Sequence, residues 1–139
     1  MEILDHEYTE AQEWIRQGQV LTGQGLFAEA EAYFNKAISA DSMNYTAYMS
    51  RGIMWASCDE LEKAKGDFAK AVKVNREIPD AYYHLGNIAF LQDNFEEGVQ
   101  QFNLAIAKGY DDAELYFHFG MVYEEHQDYE AAIRHYTKA

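Results

Sequence analysis

Shifted by 34 positions, the chain falls into register with itself. Trp14, Tyr48, Tyr82 and Tyr116 occupy one rung of that register, and Gly18, Gly52, Gly86 and Gly120 occupy another. Further rungs hold Phe27, Leu61, Phe95 and Tyr129; Ala30, Ala64, Gly98 and Ala132; Phe34, Phe68, Phe102 and Tyr136; and Ala37, Ala71, Ala105 and Ala139. Each copy is too small to bury its apolar side alone, so such a chain gains stability by stacking neighbouring copies. Four of the nine glycines share one rung, which marks them as packing positions rather than scattered turn residues. Large aromatics opposite Gly and Ala let helices approach closely, the rings filling the hollows that the small residues leave.

Within a copy the apolar positions step by three and four, as in Trp14, Gly18, Leu21 and then Phe27, Ala30, Phe34, Ala37, Ile38. That is the spacing of one face of an α-helix, so each copy holds two helices. The spacing predicts helices at 8–24, 27–40, 45–58, 61–74, 79–92, 95–108, 113–126 and 129–139. Breaks inside the copies fall at Gly25-Leu26, Asp59-Glu60, Asp93-Asn94 and Gln127-Asp128, read as turn-forming or acidic pairs that open the following helix. Connections between copies are short. Pro79 is placed in a first helical turn, where its missing N–H costs nothing, and Gly109 where a helix closes in a left-handed cap.

The pattern Trp14-x-x-x-Gly18-x-x-Leu21, followed by Ala30, Phe34 and Ala37, resembles the tetratricopeptide repeat (TPR), and Tyr82-Tyr83-His84-Leu85-Gly86-Asn87 carries the resemblance best. It extends over residues 11–139. Gln17 and Arg51 stand where the family prefers a bulky apolar residue, Ala89 replaces an aromatic, and no proline follows repeats one and three. The resemblance implies an all-α fold: a right-handed α-solenoid of antiparallel helix pairs with four TPR units, the last truncated. Residues 1–139 are then one domain, with repeats at about 11–44, 45–78, 79–112 and 113–139.

In such a stack the first helix of each repeat lines the concave side. Positions on those helices that the packing rungs leave over are the candidates for function. Ile15, Met49, Tyr83 and Phe117 form one apolar ladder, supplemented by Ile53, Phe90 and Met121, with Gln19 and Asn87 beside them. An apolar strip not needed for the core is the mark of a groove for a peptide or helix; the alternative is that these residues fill the core between helices. Many TPR proteins hold a peptide's terminal carboxylate with Lys, Arg and Asn on this face, but here it offers one arginine, Arg16, against Asp80, Glu114, Glu124 and Glu125. A carboxylate-tailed guest is disfavoured. The expected partner is another protein or peptide with apolar anchors and some basic residues; the competing view is that the acids only keep the surface soluble.

Composition removes other classes. With 24 acidic residues against 11 basic ones, a net charge of -13, the chain is not suited to grip nucleic acid phosphates or anionic lipid. No apolar run reaches a membrane span, and the start carries no Lys or Arg before Arg16, unlike a signal peptide, so a cytoplasmic address is expected. The single cysteine, Cys58, forbids an internal disulfide and has no basic neighbour in sequence to activate it. His84 and His118 lie one repeat apart, but no third ligand is placed to complete a metal site, and they read as solvated or ligand-contacting; His126 and His135 read as exposed. No phosphate-binding loop, nucleophile elbow or zinc-protease helix occurs. The expectation is a non-catalytic scaffold without cofactor or metal. The alternative is a structural module that self-assembles, since Ile133 and Tyr136 in a blunt last repeat would face solvent or another copy, giving a homo-oligomer through repeat ends.

Overall fold

The computed structural model describes the backbone of residues 2–125 and 129–138, and the side chains of residues 10–125, 131 and 134–138. Expectations for His126, the Gln127-Asp128 break, Ile133 and the rung members Tyr129, Ala132 and Ala139 lie outside the described residues or side chains. Among the described residues eight helices run in order: α1 Glu2–Gly23, α2 Phe27–Ala40, α3 Tyr45–Ser57, α4 Leu61–Val74, α5 Pro79–Leu91, α6 Phe95–Ala107, α7 Ala113–Glu125 and α8 Tyr129–Lys138. Among the described residues there is no strand. Seven helices begin where the spacing places them. The first begins at Glu2 rather than near residue 8, in a stretch whose acids suit the electropositive start of a helix.

Two compact units divide the chain, Met1–Arg76 and Glu77–Ala139, the boundary falling in the connection between the second and third repeats. In the first unit α1 pairs with α2, α3 pairs with α4, and α3 also packs on α1 and α2. In the second, α5 pairs with α6, α7 with α8, and α6 touches α7.

The hairpins all close by one rule. Gly18 meets the ring of Phe34, Gly52 that of Phe68, Gly86 that of Phe102 and Gly120 that of Tyr136. A methyl group placed on Gly52 would come within 2.7 Å of the Phe68 ring, and on Gly120 within 2.6 Å of the Tyr136 ring, well inside van der Waals contact. Phe34, Phe68 and Phe102 are wholly buried as a result, each contributing about 2 to 3 kcal/mol through its removal from water. Tyr136 is therefore not an idle group at an open end: it fills the fourth hollow and its hydroxyl donates to Glu124 at 2.9 Å.

A neighbouring pair of positions, also 16 apart, is filled differently in each repeat. Arg51 donates to Asp67 from Nε at 2.7 Å and Nη2 at 2.8 Å, while Nη1 reaches Asn35 at 2.8 Å. The arginine that departs from the family pattern thus ties α3 to both α4 and α2. In the last repeat Phe119 and His135 occupy the equivalent places, ring centroids 4.2 Å apart. His135, expected to be exposed, is half-buried because its ring also stacks on Tyr123 at 5.3 Å. Gln17, the other departure, spends its amide on Glu13 at 3.0 Å.

The turns inside repeats correct a local expectation. Gly25, Asp59 and Asp93 take φ of 77°, 62° and 60°, and the following amides of Leu26, Glu60 and Asn94 bond back five residues, to Leu21, Trp55 and Ala89, at 2.9, 2.8 and 2.8 Å. These are left-handed C-terminal caps of α1, α3 and α5. No side-chain cap opens α2, α4 or α6, so the acidic pairs end one helix rather than begin the next. Gly109 closes α6 in the same way with φ 105°, and Pro79 is the first residue of α5, both as expected.

Candidate functional site

On the first-helix face of the first unit, Ile15 is 5% exposed and belongs to the core cluster with Ala30, Phe34, Ala37, Ala47 and Met54. Met49 is 9% exposed. Ile53, one turn further along α3, is open at 42%. Gln19 is exposed, and its amide donates to the buried Ser50 hydroxyl at 2.9 Å, a tie between α1 and α3. An open pocket of about 490 Å³ lies where α1 meets the connection into α3, over Ile15, with Gln19, Met43 and Tyr45 at its sides. Met43 and Tyr45 escape the repeat reasoning because they sit in the connection or at the helix start, off the apolar ladders.

In the second unit Tyr83 is 7% exposed, while Phe117 and Met121 stand open at 51% and 41%. Tyr83 is buried because its ring is layered among Tyr110, Phe102 and His118, with centroids 4.8, 5.5 and 6.3 Å away and planes within 17°. Its hydroxyl shares a 3.2 Å hydrogen bond with Nδ1 of His118. Burial pushes the Tyr83 phenol up, opposed by a hydrogen bond with Asn87 and reinforced by Glu114 and Asp112. The Tyr110 phenol is pushed up to about 12, first by burial, then by Tyr83 and nearby acids. Both remain neutral donors at any physiological pH.

The apolar ladder thus splits. Ile15 and Met49 in the first unit and Tyr83 in the second are the buried floor of their own faces, Tyr83 layered among the rings of Tyr110, Phe102 and His118. Ile53, Phe117 and Met121 are the open groups. Asn87 and Phe90 are half-buried and line a pocket of about 440 Å³ between α5 and α7, whose other walls are Leu91, His118, Met121, Val122 and Glu125. Leu91, at 69% exposure, is not among the expected residues. Its equivalents in the other repeats are Gly23, Ser57 and Glu125, so no apolar rung points to it; a lone leucine among polar counterparts is the available signal.

His84 and His118 both approach Tyr83, His84 edge-on with centroids 5.5 Å apart. Among the described residues no group of three or more His, Cys, Asp or Glu is arranged to hold a metal ion. Burial holds the His84 imidazole below its ordinary value, against an opposing pull from Asp80. A histidine depressed on folding takes up its proton first in the unfolded chain, so its contribution is intact above the ordinary histidine range and is lost as pH falls below it. His135, likewise depressed by burial and by Arg134 and Lys138, adds in the same direction. The urea midpoint of the full chain is expected to fall between pH 7 and pH 5, and His84→Gln to flatten that fall. An unchanged slope in the variant would remove His84 as a cause.

Known proteins share the architecture of this chain. Residues 15–64, 59–113 and 113–139 match the tetratricopeptide repeat. No curated protein matches the chain. Among solved structures, MamA superposes with a TM-score of 0.83 at 20% identity, covering 99% of this chain and 80% of that one. Cut9, in the APC/C Cut9–Hcn1 hetero-tetramer, gives 0.85 at 20% identity over 99% of this chain and 26% of that one. PilF of Pseudomonas aeruginosa gives 0.76 at 17% identity, over 90% and 57%. Among the described residues no helix is long and apolar enough to cross a membrane. With the eight helices of the described residues paired into hairpins and the repeat matched along nearly the whole sequence, the chain belongs to the tetratricopeptide repeat family.

Proposed function

We propose that this protein is a non-catalytic interaction scaffold that takes up a segment of another protein on the faces of its first helices. The observation that supports it most is the exposure of Ile53, Phe117 and Met121 on those faces, next to neighbours on the same helices that are fully closed. Leaving large apolar groups in water costs about 25 cal/mol per Å², and that cost is recovered when a partner's apolar side chains cover them. Among the structural neighbours, Cut9 is itself seen in a hetero-tetramer with Hcn1. The partner presents apolar anchors rather than a terminal carboxylate, because Asp80, Glu114, Glu124 and Glu125 lie on α5 and α7 and Arg16, on α1, is already paired with Glu13 at 2.9 Å.

The test uses the open residues, not the floor. In capture from the source cell lysate, Phe117→Ser with Met121→Ser is expected to lose the proteins held by the parent chain while its melting temperature stays close to the parent's. Tyr83→Ala, by contrast, is expected to unfold the second unit rather than to report on binding. Retention of the same proteins by the Ser double variant would refute the groove.

A further inference from the structure

The pocket between α5 and α7 carries a specific chemistry beyond the general groove, and its assignment to a guest rests on the scaffold function proposed for these helices. Four of its walls are apolar, Phe90, Leu91, Met121 and Val122, with Asn87 and His118 also lining it. One rim is acidic. Glu125 closes the pocket at the last turn of α7, next in sequence to Glu124, and that turn holds no basic residue. Carboxylates there face the negative end of the helix dipole, the less favourable end for an anion. The surrounding unit adds to this field, with twelve acidic residues and three basic ones between positions 77 and 139.

We infer that this pocket binds an aliphatic side chain of a basic peptide segment, the aliphatic group entering between Phe90, Leu91 and Met121 and a neighbouring Lys or Arg meeting Glu125. The apolar walls supply burial, while Asn87 and His118, which line the same pocket, leave polar groups for the guest's backbone to meet. The carboxylate at the helix end gains from a cation what it lacks from its own helix. An acidic or carboxylate-terminated guest meets repulsion from Glu125 and finds no lysine or arginine on the pocket wall.

A displayed library of short random peptides, panned on the full chain, tests this. The enriched peptides are expected to combine an aliphatic residue with Lys or Arg. Their affinity, read by fluorescence anisotropy on synthetic copies, should weaken about tenfold or more with Met121→Glu and with Glu125→Lys, and should fall with added salt. Amide chemical shifts place each peptide on the chain. Peptides that map to the first-helix faces but are acidic, or that keep their affinity for both variants, overturn this assignment and leave the scaffold reading standing. If no enriched peptide maps to those faces, both fail.

Discussion

Replacing Gly86 with leucine is expected to destabilise the second unit by about 3 kcal/mol, the upper end of what overpacking a close helix contact costs. A methyl at this position already clashes with the edge of the Phe102 ring and lies 3.2 Å from the carbonyl oxygen of Gly98. The ring has little room to retreat: it stands edge-on to Phe90 at 4.9 Å and to Phe119 at 5.1 Å, and stacks on Tyr83 at 5.5 Å. The backbone oxygen cannot move without separating α5 from α6. Gly66, in the middle of α4, is the contrasting case, because a methyl there meets nothing within 4 Å and its backbone is helical. Gly66→Ala is expected to stabilise by about 0.5 to 1 kcal/mol through helix propensity. Urea unfolding of both variants checks the pair; a Gly86→Leu chain as stable as the parent would show that the hairpins do not close on these glycines.

Asp67→Ala is expected to cost about 2 to 3 kcal/mol. The aspartate side chain is 9% exposed and accepts from both Nε and Nη2 of Arg51, whose own side chain is 23% exposed. Removing the acid leaves a half-buried cation with Asn35 as its hydrogen-bond partner and the Tyr48 ring 6.0 Å away, without its adjacent carboxylate; a fully buried pair broken this way costs about 3 to 5 kcal/mol, and partial access to water and these neighbours lower the figure. The charge itself is not what the fold requires. In an Arg51→Met background the same Asp67→Ala change should cost at least 1 kcal/mol less, about the coupling expected between contacting residues. Equal costs in the two backgrounds would show that the pair contributes no coupling.

The helices, their pairing and the glycine rung were legible in the sequence because each is written four times, and repetition separates packing positions from incidental ones. What repetition could not supply was the outcome at positions where the copies differ. Arg51 read as a departure from the family because its partner, Asp67, lies 16 residues on, and nothing in a helix period joins residues that far apart. The groove ladder failed in the opposite way. Ile15, Met49, Tyr83 and Phe117 share one register, yet only Phe117 is open. Tyr83 is covered by Tyr110, which belongs to the connection after α6 rather than to any rung. Burial at such places depends on what the connections lay over the helices, and their conformation is set by caps such as Gly109 rather than by apolar spacing.

The variable pair beside the glycine rung bears on how a chain of near-duplicates assembles without error. Four interchangeable hairpins would let a first helix marry the wrong second helix during synthesis, a hazard of repeated sequences. Arg51 docked on α6 would find Gln101 in place of Asp67, and α7 docked on α4 would press Phe119 against a carboxylate. Both mismatches strand a charge or a ring, so the second and fourth hairpins each carry a key of their own, cut in a position that the shared pattern leaves blank.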